Sequence, residues 1–93
     1  MAIVFYIPGM LRQLTNGSSQ VDIPAGPATM GEALAALWRK YPGLRDRMVT
    51  EQGEVRQHVN IFIGEDNIRD RGGFGTAVVD GAAVTIVPAV SGG

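Results

Sequence analysis

Few side chains in this sequence have the types and spacing that carry out chemistry. Cysteine is absent, which excludes a disulfide framework, a thiolate metal site and a thiol nucleophile on this chain. His58 is the single histidine and has no cysteine or second histidine with which to share a metal, so we predict no metal site. The glycine-rich "RGGFG" of residues 71–75 lacks the strand-to-helix setting and the Lys-Ser/Thr pair of a phosphate-binding loop. No catalytic residue is therefore predicted.

The clearest candidate is the C-terminal stretch "VTIVPAVSGG" of residues 84–93, a hydrophobic strand pattern followed by two glycines. Without a Cβ atom, glycine adopts φ angles on both sides of zero and is the residue least able to hold one conformation. Gly92 and Gly93 are therefore unsuited to hold the C-terminus in one fixed conformation. They indicate either a disordered terminus or a segment whose function requires a flexible backbone without side chains.

Length and composition indicate one small domain. At 93 residues the chain suits a single core, which buries roughly 60–65 % of the surface that the unfolded chain exposes. The 8 Lys and Arg residues nearly balance the 9 Asp and Glu residues, so no basic field indicates nucleic acid or an anionic membrane as a partner. Residues 2–7, "AIVFYI", end at Pro8 without a basic leader and are too short for a signal peptide or a membrane span. We expect a cytoplasmic protein.

The first half of the chain predicts two strands and a helix. Residues 2–7 are rich in β-branched and aromatic types and are predicted as the first strand. "QVDI" at 20–23 is the returning strand, after a long loop that contains "MLRQL" and an Asn-Gly turn. Thr29 and Glu32 form a capping-box pattern that starts a helix, which ends before Pro42. The apolar stripe of this helix consists of Met30, Ala33, Leu34, Leu37, Trp38 and Tyr41.

The second half returns to strands. After a short helical turn at 43–50 and a polar loop at 50–57, residues 58–63 and 83–88 alternate as strands do, with a short segment at 67–69 between them. This order predicts an α+β fold in which a mixed sheet of four to five strands packs on one main helix. Because the first and last strands are the most apolar, we place them side by side and parallel at the centre of the sheet, joined through the helical crossover.

With these features the sequence resembles the ubiquitin-like β-grasp sulfur carriers of the MoaD/ThiS family. The resemblance rests on the strand order, the last strand "VTIVP" and the Gly92-Gly93 end. It is strongest to the actinobacterial CysO-type carriers, through "HVNIFIGEDNIR", "GGFGTAVVDG" and "VTIVPAVSGG" in the C-terminal part of the chain. The resemblance implies a β-grasp domain over residues 1–88 and a flexible tail over residues 89–93.

The resemblance further implies a protein cosubstrate and not an enzyme. A ubiquitin-activating-type partner would use ATP to adenylate the carboxylate of Gly93, which then becomes a thiocarboxylate that donates sulfur, while the carrier itself binds no cofactor. Gly92 would let the backbone pass where a Cβ atom would collide, and Ala89, Val90 and Ser91 would supply reach. Extended at about 3.3 Å per residue, Ala89 to Gly93 would span roughly 16 Å.

Biosynthetic partners are also implied by the resemblance. For CysO-type carriers these are a pyridoxal-phosphate (PLP) cysteine synthase, which accepts the sulfur on an O-phosphoserine-derived aminoacrylate, and a metalloprotease that frees the new cysteine. Ser91 stands where the subgroup commonly has alanine, which leaves the receiving pathway open. The alternatives are a molybdopterin synthase small subunit that works with its large subunit, or a sulfur carrier for thiazole or a specialised metabolite. Two further classes are a ubiquitin-like protein modifier and a non-covalent binding module that needs no tail.

A second candidate site is the open face of the sheet. We assign to the side that faces the helix Ile3, Phe5, Ile7, Ile61, Val84 and Ile86. An apolar cluster of Val4, Tyr6, Phe62 and Val87 then lies on the other side and requires a partner. Two arrangements would remove this exposed cluster. The loop at 50–57 would cover the face, or the first strand would be shifted by one residue, which turns each of its side chains to the opposite face. Arg69 and Arg71 are candidates for polar contacts near the tail or with acidic residues of the partner.

Overall fold

The structure, a computed structural model, describes residues 1–88, which contain five strands and two α-helices. The strands are β1 (Ile3–Tyr6), β2 (Gln20–Ile23), β3 (Val59–Ile63), β4 (Asp66–Asn67) and β5 (Ala83–Pro88). The helices are α1 (Met30–Lys40) and α2 (Pro42–Met48), with short 3-10 helices at Gly9–Thr15, Ile68–Asp70 and Gly73–Gly75.

The five strands form one mixed sheet in the order β2-β1-β5-β3-β4. β1 and β5 are parallel neighbours at its centre, with Phe5 opposite Val84. The pairs β1–β2, β3–β5 and β3–β4 are antiparallel. The sequence predicts this central parallel pair because the first and last strands are the most apolar, and the prediction is confirmed. Only one face of the two strands is fully buried.

The core lies between α1 and one face of the sheet. On the sheet side it consists of Ile3, Phe5, Ile7, Val21, Ile23, Val59, Ile61, Val84 and Ile86, all buried. Against them α1 buries Met30, Ala33, Leu34 and Leu37, the stripe that the helical spacing predicted. Alternation of side chains along each strand places every second residue in this layer, so the assignment of inward-facing residues on β1 and β5 is confirmed.

Helix α1 begins with the predicted capping box. The hydroxyl of Thr29 accepts the backbone N–H of Glu32 at 3.3 Å, and the Glu32 carboxylate accepts the backbone N–H of Ala28 at 2.8 Å. Pro42 cannot continue α1, because it has no N–H to donate, and instead opens α2 as a first-turn proline. The predicted turn at 43–50 is this second helix, which is tied to α1 by the Trp38 Nε1–H, donated to the Met48 sulfur at 3.5 Å.

Two segments differ from the expectation. The connection after β1, expected as a long loop, is the 3-10 helix Gly9–Thr15, in which Leu11 and Thr15 are buried. Its sequence "MLRQLT" has too few apolar residues to show a helical period, so the pattern alone did not reveal it. The segment expected at 67–69 is divided between the two-residue strand β4 and the 3-10 helix Ile68–Asp70.

Candidate functional site

The last strand ends beside the start of β3. In the antiparallel register Pro88 lies opposite Val59 and Val87 lies opposite Asn60. We call this end of the sheet, from which residue 89 follows, the tail end, and the end where β5 begins at Ala83 the far end. The predicted tail residues Ala89, Val90, Ser91, Gly92 and Gly93 lie outside the described residues, so their roles stay predictions.

The four apolar residues of the predicted docking cluster lie on the sheet face opposite α1. Tyr6 is 43 % exposed and Val87 is 41 % exposed, while Val4 and Phe62 are half-buried. The loop at 50–57 does not cover them, and the first strand is not inverted, because Ile3 and Phe5 point into the core. The structure therefore brings these side chains to one accessible surface, which we call the open face. That a partner docks there stays a prediction.

Polar side-chain pairs border the open face on both sides. On β2 the amide of Gln20 donates to the carboxylate of Asp22 at 3.2 Å. On the opposite side the Asn67 amide donates to the Asn60 side-chain oxygen at 3.1 Å. An apolar centre with a polar rim is the usual anatomy of a protein–protein interface. The sequence did not reveal the Asn60–Asn67 pair, because it depends on the register of β4, a strand too short to recognise from its pattern.

Arg69 binds the backbone of its own chain at the tail end. Its guanidinium donates to the carbonyls of Arg56 and Val59 at 2.7 Å each, and reaches the Gln57 carbonyl at 3.5 Å. Since Val59 is the residue opposite Pro88, Arg69 fixes the segment beside which the last strand ends. The prediction placed Arg69 near the tail but did not foresee this internal role. Contact with a partner stays a prediction for this residue.

Arg71 has a different environment. Its guanidinium forms an ion pair with Asp66 at 2.8 Å, with both side chains at least half exposed. Asp66 pairs with Ile63 at the turn end of β3, so Arg71 lies toward the far end and away from Arg69. The two arginines predicted to contact the partner are therefore not brought together.

Two kinds of feature are absent from the described residues, metal-ligand groups and membrane-spanning helices. Across residues 1–88, no group of three or more His, Cys, Asp or Glu side chains is arranged to hold a metal ion. In the same part of the chain, no helix is long and apolar enough to cross a membrane.

Comparisons with known proteins agree with this geometry. The family model described as the ThiS family matches residues 5–93. The chain is 36 % identical over 95 aligned residues to the sulfur carrier protein CysO of Mycobacterium tuberculosis, with 100 % of both chains covered. It is 41 % identical over 66 residues to small archaeal modifier protein 3 of Haloferax volcanii, with 71 % of each chain covered. Its structure superposes on a chain of the Amycolatopsis orientalis BexX/CysO complex with a TM-score of 0.88 and 33 % identity, covering 99 % of this chain and 100 % of the other.

Proposed function

Because the chain belongs to the ThiS family, and is a sulfur carrier of the ubiquitin-like β-grasp fold and not an enzyme, we propose that its sulfur is carried as a thiocarboxylate on Gly93. We further propose that this sulfur enters cysteine biosynthesis. The observation that carries the proposal is the similarity to CysO over the whole length of both chains. The family match runs to Gly93, so it includes the glycine pair.

The chemistry requires activation of the Gly93 carboxylate, because a carboxylate has no leaving group that a sulfur nucleophile can displace. Attack of the carboxylate on the α-phosphate of ATP forms an acyl adenylate and releases pyrophosphate. A sulfur nucleophile supplied by the partner then attacks the acyl carbon, and AMP leaves with the electron pair of the broken C–O bond. The activating enzyme would supply the catalytic groups and would bind the ATP. The carrier contributes an acyl carbon that no side chain hinders.

The folded body would serve to place that carboxylate. Val87, on the open face, is separated from residue 89 only by Pro88, so a partner that binds the open face holds the tail at its base. From there, Ala89 to Gly93 reach about 16 Å when extended at 3.3 Å per residue, which suffices for a recessed active site. Gly92 and Gly93 keep the end of this segment narrow enough for a channel.

The partners proposed for this chain are of two kinds. The first is a ubiquitin-activating-type enzyme that adenylates the carrier and passes sulfur to it. The second kind acts after sulfur transfer: a PLP-dependent cysteine synthase takes the sulfur, and a metalloprotease then frees the new cysteine. The crystallised complex of an Amycolatopsis orientalis CysO with BexX supports the proposal that a carrier of this shape binds a partner protein. A molybdopterin synthase large subunit is the alternative receiver.

Protein modification is the second candidate function. It is favoured by the similarity to small archaeal modifier proteins of Haloferax volcanii, at 41 % and 34 % identity. The same activated Gly93 would then form an isopeptide bond with a lysine of another protein. Lys40 is the single lysine of this chain, so chains of linked copies would grow only through Lys40 or through the N-terminus.

Intact-mass spectrometry tests the proposal. The protein is incubated with ATP, the ubiquitin-activating-type enzyme encoded in the same genome, and a sulfide source. We expect the mass to rise by the replacement of one oxygen with sulfur, and the same protein without Gly93 to show no change. If the enzyme demonstrably forms adenylate on its carrier but the mass stays unchanged, the thiocarboxylate proposal is wrong. Adducts on lysines of added proteins would favour the modifier function.

A further inference from the structure

The charged side chains are distributed unevenly between the tail end and the far end. Helix α1 begins toward the far end, where the Met30 N–H donates to the Thr76 carbonyl at 2.8 Å. It then runs toward the tail end, where Gly43 of α2 packs close to Leu14 of the 3-10 helix that follows β1. Lys40, the last residue of α1, is therefore at the tail end. The last turn of α2 lies there too, because Arg47 lines one cleft with Arg56 and His58, and so does the guanidinium of Arg69.

The two halves consequently have opposite net charges. Toward the tail end lie Arg12, Lys40, Arg45, Arg47, Arg56 and Arg69 together with Asp46, Glu51 and Glu54, and six basic against three acidic residues gives +3. Arg39 and Glu32 line one cleft beside α1, so their charges cancel there. Toward the far end lie Arg71 and the remaining five acidic residues, Asp22, Glu65, Asp66, Asp70 and Asp80, which gives −4. The formal net charge of −1 for the whole chain conceals this separation.

Five of the tail-end residues lie around the point where β5 ends. On one side, Arg12 donates its Nε–H to the carbonyl of Ile7, which directly follows β1. On the other side, Arg69 donates to the carbonyl of Val59, opposite Pro88. Next to it, one shallow cleft is lined by Arg47, Arg56 and His58 together with Asp46. We call Arg12, Arg47, Arg56, His58 and Arg69 the basic collar.

Among residues 1–88 no carboxylate forms an ion pair with a residue of the collar, although Asp46 lines the same cleft. Within residues 1–88, the one ion pair joins Arg71 to Asp66, outside the collar. Arg12, Arg56 and Arg69 donate to backbone carbonyls, which satisfy hydrogen bonds but carry no opposing charge. Arg47 and His58 are exposed. A set of guanidinium groups that keeps its full charge at the surface provides a long-range field for a partner.

We propose that the basic collar binds acidic residues around the entrance of the activating enzyme's tail channel. The inference rests on the proposed function, since it assumes that the tail enters a partner. The field would orient the carrier with its tail end toward the enzyme before the open face makes contact, and the acidic far end would be repelled from the same surface. Electrostatic steering of this kind raises association rates by roughly 10- to 1,000-fold and weakens with salt.

A nucleic acid is a poorer occupant than an acidic protein rim. A polyanionic strand that extended past the collar would meet the far-end half, whose net charge is −4. The open face beside the collar presents Tyr6 and Val87 as an apolar surface, which suits a protein contact. Binding of an oligonucleotide is therefore one of the outcomes that the test must separate.

Two charge reversals of equal size provide a matched test. Arg47→Glu lies in the collar, Arg71→Glu lies outside it, and both change the net charge by two units at exposed positions. Association with the activating enzyme is followed by stopped-flow at roughly 0.05 and 0.5 M NaCl, between which the Debye length shortens several-fold. We expect Arg47→Glu to lower the association rate constant about three- to tenfold at low salt, and Arg71→Glu less than twofold. Equal effects of both variants, or salt-independent association of the unaltered protein, would refute the collar.

A second measurement does not depend on sulfur transfer. The isotope-labelled protein is titrated by NMR with a deca-glutamate peptide and, separately, with a single-stranded DNA decamer. We expect the peptide to shift the amide signals of the collar and its neighbours, and Arg47→Glu to reduce these shifts. Shifts spread evenly over the surface, or tighter binding of the DNA, would contradict the proposal. If the unaltered protein gains no sulfur while the peptide still binds the collar, the proposed function fails, and the collar remains only a surface that binds acidic groups. If the protein gains sulfur but the peptide does not bind the collar, the collar alone is refuted.

Discussion

Arg69 and Arg71 are two residues apart and both exposed, but the structure predicts very different effects of removing them. Arg69→Ala removes a guanidinium that donates to two carbonyls at 2.7 Å and contacts a third at 3.5 Å. These acceptors belong to residues 56, 57 and 59, so the loop before β3 loses its attachment to the 3-10 helix Ile68–Asp70. Arg71→Ala removes only an exposed ion pair with Asp66.

The magnitudes follow from the surroundings of the acceptors. A hydrogen bond from a charged donor contributes about 1.5–3 kcal/mol when it is well protected, and less when water can replace the donor. The carbonyls of Arg56 and Gln57 become hydrated after the substitution, whereas that of Val59 is partly buried. We therefore expect Arg69→Ala to lower the free energy of unfolding by about 1–2 kcal/mol. An exposed pair such as Arg71–Asp66 contributes about 0.5 kcal/mol.

Thermal and urea unfolding measure the difference. For a domain of this size about 1 kcal/mol lowers Tm by roughly 4–8 °C, so Arg69→Ala should lose about 4–16 °C and Arg71→Ala roughly 2–4 °C. Amide hydrogen exchange adds a local readout, because Arg69→Ala should speed exchange in the first residues of β3 and leave α1 unchanged. Arg69→Lys should lose most of the same stability, since one ammonium cannot span three carbonyls. If both alanine variants unfold at the same temperature, the assignment of Arg69 as the anchor of this segment is wrong.

Three further substitutions test separate parts of the molecule. Val87→Asp puts a charge on the open face and should weaken binding of the activating enzyme at least tenfold with little change in Tm; unchanged binding would exclude this surface from docking. Thr29→Ala removes the acceptor of the Glu32 N–H and should cost about 0.5–1 kcal/mol by urea unfolding, whereas Thr29→Ser should be nearly neutral. Gly31→Ala places a Cβ atom 3.3 Å from the Phe74 carbonyl and Cβ, a crowded contact, and should therefore lower Tm in thermal unfolding; a gain in stability would show that the segment around Phe74 moves aside at little cost.

Local patterns predicted the parts of the fold that depend on neighbours in sequence. Alternation on β1 and β5 identified which side chains face the core, because residues two apart share a sheet face. The capping box at Thr29 located the start of α1, because its hydrogen bonds join residues only three or four positions apart. The same alternation predicted the apolar residues of the open face, because residues that alternate with the core residues must lie on the opposite face of the sheet.

Features that depend on distant segments could not be predicted in this way. The contacts of Arg69 reach back 10 to 13 residues, and only the folded register brings its guanidinium to those carbonyls. The pairing of Asn60 with Asn67 requires β4, whose two residues show no strand pattern. The separation of charge depends on the direction of α1 and β5 and is invisible in the total composition, which is nearly balanced.

The central claim is that the terminal carboxylate of Gly93 is the group that carries sulfur. The most direct measurement is fragmentation mass spectrometry of the C-terminal peptide after reaction with the activating enzyme, ATP and isotopically labelled sulfide. We predict that one labelled sulfur replaces one oxygen and that the fragment ions assign it to Gly93, with none in the protein that ends at Gly92. Sulfur found elsewhere in the chain, or a labelled product that forms equally well without Gly93, would contradict the account.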